Sequence, residues 1–336
     1  MVLFADAAPA EPGASIGSPG LWAISIVVLL ALLVVDFLVT RKPHEVSMRE
    51  AAGWSILYLT IPFVFGGWLW AQHGDGPALE FVTGFVVEKS LSVDNLFVFM
   101  LILTGFAVPA AVQQRVLLYG IVGALVLRGV FIAIGAAMLQ AGTWAFLVFG
   151  GILLISAVRI LQEVRSGGGM GERDVADTRM VRVLRRFMPV TDDYRGTRLT
   201  VRENGRRALT PLAIVVAAIF FTDIVFAVDS VPAVYGITSD PYLVFATNAF
   251  ALLGLRALYF VLRSVLAKLV YLNHGLAVIL GFIGVKLVLH WAHEIWPSVP
   301  VVPTPASLAV IVLVLAVVTL ASLRRSPRPE SVDERG

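Results

Sequence analysis

The sequence predicts an all-α polytopic membrane protein with about nine transmembrane helices, and three observations lead to this fold class. Hydrophobic residues make up 58% of the 336 residues and charged residues only 15%, against about 25% charged in an ordinary soluble domain. Nine stretches are long and apolar enough to cross a bilayer, which takes roughly 20 residues each. Lysine and arginine occur in every second loop between these stretches.

The predicted spans follow one another along most of the chain. In order, they cover approximately residues 21–40, 53–71, 81–106, 116–139, 144–162, 211–233, 241–262, 272–292 and 307–323. We therefore expect a short extracytoplasmic tail over 1–20, a transmembrane domain over 21–323 and a cytoplasmic tail over 324–336.

The orientation follows from the loops. Basic residues follow spans 1, 3, 5, 7 and 9, among them Arg41, Lys42, Arg49, Arg115, Arg263, Lys268, Arg324, Arg325 and Arg328. The alternate loops and the N-terminal tail contain no lysine or arginine. The positive-inside rule then places the N-terminus outside and the C-terminus in the cytoplasm of a bacterial inner membrane. This orientation requires an odd number of spans, as predicted.

One long loop, 163–210, interrupts the spans. It opens on the flexible run 166–169, and its segment 175–188 predicts a basic amphipathic helix lying on anionic lipid. A surface-lying connector is the plainer interpretation, and a regulatory or partner-binding segment is the alternative. Membrane lipid is thus an expected partner. Nucleic acid is not, because the basic residues follow the membrane topology.

Two parts of the chain resemble each other. Glu88 and Asp94 in span 3 have the same spacing as Asp223 and Asp229 in span 6, and each second acid follows a valine. The next spans match as well, since one contains Leu-Val-Leu-Arg128 and the other contains Leu-Gly-Leu-Arg256. Spans 3–5 and 6–8 would run in opposite directions. They predict a 3+3 inverted repeat, whose binding site would lie at the repeat interface near the bilayer midplane.

Charged residues inside the spans are the strongest functional signal, because each costs roughly 2.5–3.5 kcal/mol if it faces lipid. They are Asp36, Glu88, Lys89, Asp94, Arg128, Asp223, Asp229, Arg256 and Lys286. Four of the five acids lie on spans 3 and 6, which predicts a central carboxylate cluster. Arg128 and Arg256, with Lys89 and Lys286, would pair with it or gate it. A purely structural salt-bridge network is the alternative, although buried pairs seldom add net stability.

The available ligands indicate a hard cation. Carboxylates together with the oxygens of Asn95, Ser230 and Asn248 suit Mn²⁺, Mg²⁺ or Ca²⁺. Soft metals are disfavoured because the chain contains no cysteine. His290 and His293 are expected to cap a span at the interface. Without an enzyme motif or a site for an organic cofactor, the chain is not expected to be an enzyme.

Geometry limits which acids can act together. Residues six positions apart differ by about 240° around a regular helix, so Glu88 and Asp94 cannot share a face, nor can Asp223 and Asp229. Either a helix unwinds between them or one acid of each pair is a ligand. Pro232 favours a break in span 6. Asp94 and Asp229 are the first choices, and the other two acids are second choices as ligands or proton carriers.

Several long motifs resemble the TerC/Alx family of bacterial membrane proteins over roughly residues 20–320. The matching stretches are 41–47, 88–99, 123–128, 222–233, 248–260, 271–280 and 282–286. The resemblance implies a nine-span inner-membrane protein related to the LysE-type exporters, in a family named for tellurium resistance and linked to Mn²⁺ export, including metal supply to secreted enzymes. It places the family's acidic positions at Glu88, Asp94, Asp223 and Asp229. One departure is Phe220, which stands where the family pattern has an acid.

These observations favour a Mn²⁺ exporter, with exchange against protons as one form of the hypothesis. A Ca²⁺ or Mg²⁺ transporter is an alternative, because the ligand set alone does not choose among hard cations. An alternative of another class is a membrane scaffold of a stress or secretion complex, in which the carboxylates are structural.

Overall fold

The computed structural model describes residues 15–39, 48–165, 191, 194–203, 206–262 and 271–325. These residues form a helical bundle and confirm the predicted all-α polytopic fold. The helices are α1 (Pro19–Val39), α2 (Met48–His73), α3 (Asp75–Gly105), α4 (Ala110–Ala141), α5 (Trp144–Arg165), α6 (Pro211–Tyr235), α7 (Pro241–Leu252), α8 (Leu255–Leu262), α9 (Leu272–Ile295) and α10 (Thr304–Arg325).

Six described helices are long and apolar enough to cross a membrane, namely α2, α4, α5, α6, α9 and α10. Shorter apolar stretches occur in α1 and α7. α3 is the second-longest described helix at 31 residues and carries several charges. Large apolar side chains on α1, α2 and α10 are turned outward, as Ile24, Val64 and Leu313 show with more than half of their surface exposed. This surface suits contact with lipid rather than water.

Span 7 is not one continuous helix, contrary to the prediction of a single stretch over 241–262. α7 ends at Leu252, the backbone of Leu253 is extended, and α8 begins at Leu255. Gly254 has a φ of +76°, in the left-handed region that glycine adopts at little cost. The side chain of Tyr58 from α2 packs against Gly254 where a Cβ would lie. Gly254 therefore supplies both the turn and the close approach.

Span 6, by contrast, is unbroken, so the predicted break at Pro232 is wrong. α6 runs from Pro211 through Pro232 to Tyr235. Thr210 caps its start by accepting a hydrogen bond from the Ala213 amide. Pro232 lies in the last turn, where the loss of one backbone donor disturbs little of the helix.

α3 and α6 lie at the centre of the bundle. Both contribute to a buried apolar cluster with α4, which includes Leu96, Val116 and Val215. Both also contribute to a second cluster with α5 and α9, which includes Val87 and Ile283. Because α3 and α6 belong to both clusters, the polar side chains on them are held deep inside the protein.

A small β-hairpin, which the sequence did not predict, occupies the end of the long loop. β1 (Thr200–Glu203) pairs antiparallel with β2 (Arg206–Leu209). The nearby Tyr194 hydroxyl donates to the Phe106 carbonyl at the end of α3, 2.7 Å away. This contact ties the loop to the bundle. The amphipathic segment predicted over 175–188 lies outside the described residues, as does the side chain of Asp36.

α5 and α9 pack at very short range through glycines. A Cβ on Gly150 would lie 2.9 Å from the Gly284 carbonyl oxygen, and one on Gly284 would lie 3.1 Å from the Gly150 carbonyl oxygen. The two backbones therefore approach each other where neither residue has a side chain. Small residues are used in this way in membrane helix packing.

Candidate cation site

The centre of the site is Arg128 on α4, whose side chain is completely buried. Its Nη1 forms an ion pair with Oε1 of Glu88 from α3. Its Nη2 lies 3.6 Å from Oδ1 of Asp223 on α6. Both acids are almost entirely buried as well. One arginine thus lies between one acid from each predicted repeat.

A fourth helix completes this arrangement. Arg128 Nη1 donates to Oδ1 of Asn248 on α7 at 2.8 Å. The Asn248 amide nitrogen in turn donates to the Val244 carbonyl at 2.9 Å, which fixes the direction of its oxygen. The polar centre therefore joins α3, α4, α6 and α7.

The helical period explains why these groups meet. Glu88, Ser92 and Asn95 are spaced four and three residues apart, so they lie along one face of α3. Asp223 and Ser230 are seven residues apart and share a face of α6 in the same way. All five are buried. Each central helix thus presents a row of oxygen-bearing side chains to the interior.

Several of these oxygens have no hydrogen-bond partner among the described residues. They are the hydroxyls of Ser92 and Ser230 and Oδ2 of Asp223. Buried polar atoms without partners are uncommon in folded proteins and call for an explanation. Hard oxygen atoms of this kind are the ligands preferred by Mg²⁺, Ca²⁺ and Mn²⁺. Within the described part of the chain, however, no three acid, histidine or cysteine side chains are grouped closely enough to hold a metal ion.

The structure brings together the second-choice acids of the sequence analysis, Glu88 and Asp223. Asp229 is half-buried, lies within electrostatic reach of Arg128 and takes part in neither ion pair of that arginine. The side chains of Asp94 and Arg256 lie outside the described residues. Arg128 lies between Glu88 and Asp223, so these two acids pair with the arginine rather than with each other.

Lys89 and Lys286, grouped together from the sequence, lie in different surroundings. The Lys89 ammonium donates to the Ala251 carbonyl at 3.1 Å, in the last turn of α7. Lys286 instead lines a separate cavity of about 280 Å³ together with Glu80, Thr238 and His290. Glu80 and Lys286 are within electrostatic reach of each other there. His293 contacts the Val299 carbonyl at 2.6 Å, as expected of a residue at a span end.

Two buried polar groups were not predicted from the sequence, namely the Ser92 hydroxyl and the Ala251 carbonyl. Ser92 could have been found, because it lies one helical turn after Glu88 and one turn before Asn95 on the same face of α3. The Ala251 carbonyl could not, because a backbone group has no side-chain signal. Only the glycine at position 254 marks the end of the helix that exposes it.

Comparisons with known proteins agree with this membrane architecture. The family model described as "Integral membrane protein TerC family" matches residues 74–330. An uncharacterized membrane protein of Myxococcus xanthus is 40% identical over 320 residues, which is 95% of this chain and 97% of that protein. A protein of Salmonella typhi named "Putative membrane-bound redox modulator Alx" is 41% identical over 285 residues. The matched region covers 82% of this chain and 87% of the length of that protein. No solved structure matches the chain.

Proposed function

Because the chain belongs to the TerC family of integral membrane proteins, we propose that it transports a hard divalent cation, Mn²⁺ in the first place, across a bacterial inner membrane. The observation that carries this proposal is the convergence of Glu88 and Asp223, from two central helices, on the buried Arg128, while Oδ2 of Asp223 lacks a hydrogen-bond partner among the described residues. Charged groups at this depth mark ion pathways in membrane proteins.

Charge balance suggests how a cation could be accommodated. Glu88, Asp223 and Arg128 leave one net negative charge, and Asp229 adds a second within reach of the arginine. A divalent cation would neutralise this excess, and in its absence protons on the acids could do so. Exchange of Mn²⁺ against protons is therefore the form of transport that the charges favour. Asp229 and Asp94 are the ligands that we propose for the cation, with Asn95, Ser230 and Asn248 as neutral donors.

A second candidate is favoured by the ion pairs themselves. Glu88 and Asp223 both have Arg128 as a partner, as they would in a purely structural network. In that case the protein is a membrane scaffold. The relatives named as redox modulators suggest a redox role as a third candidate. Redox chemistry at a thiol is excluded for this chain, because its 336 residues include no cysteine.

Measuring the Mn²⁺ content of cells distinguishes a transporter from a scaffold. The protein is expressed in bacteria that lack Mn²⁺ export, and their Mn²⁺ content is measured. We expect the wild type to lower the content and Asp94→Asn and Asp229→Asn to restore it. If the content stays unchanged while all three proteins confer equal stress resistance, the scaffold is supported. Parallel measurement of Ca²⁺ and Mg²⁺ tests the other hard cations.

A further inference from the structure

The broken end of α7 presents a backbone carbonyl to the interior of the protein. α7 ends at Leu252, and the turn at Gly254 separates it from α8. The last carbonyls of a helix lack the amide donors that a continuing helix would supply, and they carry its partial negative charge. The Ala251 carbonyl is one of them. It accepts a hydrogen bond from the Lys89 ammonium of α3 at 3.1 Å.

Lys89 is next to Glu88 in sequence but about 100° further around α3, so it reaches a different part of α7. Asn248 and Ala251 are three residues apart, or about one helical turn. Arg128 donates to the side-chain oxygen of Asn248, and Lys89 donates to the carbonyl of Ala251. Two oxygens at successive turns of α7 thus each contact a cationic side chain of the protein itself.

We propose that the Ala251 carbonyl is a ligand of the transported cation and that the Lys89 ammonium occupies its place when the site is empty. This inference rests on the proposed transport function. A carbonyl oxygen is a hard donor that binds Mn²⁺ and ammonium alike, and unwound helix ends hold cations in other membrane transporters. The incoming ion replaces a tethered positive charge, so the buried carbonyl keeps a cationic partner throughout.

The proposal is tested by asking whether Lys89 competes with Mn²⁺ for the Ala251 carbonyl. Mn²⁺ binding to the purified protein is measured by the loss of the electron paramagnetic resonance signal of free Mn²⁺. Lys89→Met removes the ammonium at similar length, and we expect it to tighten Mn²⁺ binding by about tenfold or more, which corresponds to ~1.4 kcal/mol. Lys286→Met, the matched control, removes a buried ammonium from the separate cavity and should change binding by less than about threefold, or ~0.7 kcal/mol.

Lys89→Gln serves as the second variant, because its neutral amide can still donate to the carbonyl and preserve the fold. We expect it to tighten binding too. Unchanged or weaker binding in a folded variant, judged by an unaltered melting temperature, would overturn the inference. A wild-type protein that binds no Mn²⁺ would instead count against the proposed function itself.

A backbone substitution tests the carbonyl directly. Replacing Leu252 by its α-hydroxy acid turns the preceding amide into an ester and makes the Ala251 carbonyl a poorer ligand. We expect Mn²⁺ binding to weaken by about tenfold, or ~1.4 kcal/mol. The same change at Phe250 weakens the Ala249 carbonyl, which accepts from the Leu253 amide, and is the control. Equal effects of the two esters would show that Ala251 is not a ligand.

Discussion

Arg128 is the residue on which the centre of the protein depends. Its side chain is completely buried and contacts an acid on each of two helices and an amide on a third. Removing one partner of a buried ion pair costs about 3–5 kcal/mol, because it leaves an uncompensated charge in a medium of low polarity. The arginine is thus required for stability even if the pair as a whole adds little to it.

The variant Arg128→Gln should therefore lower the melting temperature of the purified protein strongly, because Glu88 and Asp223 lose their common partner. We expect a destabilisation of about 3–5 kcal/mol. Arg159→Gln on α5 is the control, since Arg159 is exposed. Equal melting temperatures for the two variants would show that the buried ion pairs are unimportant for the fold.

At this scale the sequence identified the residues of the buried polar centre but not their arrangement. The cost of charge in a membrane singled out Glu88, Arg128 and Asp223 directly. Which acid of each pair faces the arginine depends on the rotation of α3 and α6 about their axes. That rotation is set by packing against neighbouring helices, and apolar patterns carry little information about it when a helix is apolar on all sides.

At the scale of the element, the most consequential feature is the break between α7 and α8. The apolar composition of 241–262 predicts a continuous span. Composition does not distinguish a continuous helix from a broken helix of equal length. The glycine at 254 was visible, but a lone glycine in a helical pattern is usually tolerated. The position of Tyr58 against it, a contact distant in sequence, is what makes the glycine necessary.

Gly254→Ala should disrupt this break. An alanine at a φ of +76° costs about 1–2 kcal/mol, and its Cβ would overlap the Tyr58 side chain. We expect a lower melting temperature together with weaker Mn²⁺ binding, because Asn248 and Ala251 belong to the same helix end. Gly67→Ala on α2, where a Cβ meets no atom within 4 Å, should leave both quantities unchanged. A Gly254→Ala protein as stable as this control would contradict the account.

The contact between α5 and α9 offers a sharper comparison, because two adjacent glycines differ in surroundings. A Cβ on Gly150 would lie 2.9 Å from the Gly284 carbonyl oxygen, whereas one on Gly151 meets no atom within 4 Å. Gly150→Ala should lower the melting temperature by forcing the two helices apart. Gly151→Ala should leave it unchanged or raise it slightly, because alanine favours a helix. The reverse order would show that the packing of α5 on α9 differs from the one described.

For the whole molecule, the contacts agree with an inverted repeat. If Glu88 corresponds to Asp223 and Arg128 to Arg256, then Gly84 corresponds to Ile219 and Gly120 to Asn248. A Cβ on Gly120 would lie 2.6 Å from the Ile219 side chain, and one on Gly84 would lie 2.9 Å from Thr247, next to Asn248. Two corresponding helix pairs thus touch at nearly corresponding places. The relation of α3–α5 to α6–α9 by an inverted repeat stays a prediction, with which these two contacts are compatible.

The predicted orientation can be tested cleanly, because the chain has no cysteine of its own. Ser298→Cys, in the exposed loop before α10, should react with a membrane-impermeant maleimide added to intact cells. Arg202→Cys, exposed on β1, should react only after the membrane is opened. This pattern follows from the distribution of basic loops. The opposite pattern would place the N-terminus in the cytoplasm.

We expect the cation to cross the membrane through the buried polar centre, and flux in proteoliposomes is the decisive measurement. Mn²⁺ uptake into vesicles containing the purified protein is compared with uptake by Asp229→Asn, which keeps both ion pairs of Arg128. We expect the wild type to carry Mn²⁺ and this variant to lose most of the flux while it keeps the wild-type melting temperature. Vesicles in which the wild type moves no more Mn²⁺ than protein-free vesicles, or in which a stable Asp229→Asn protein carries it at the wild-type rate, would contradict the account.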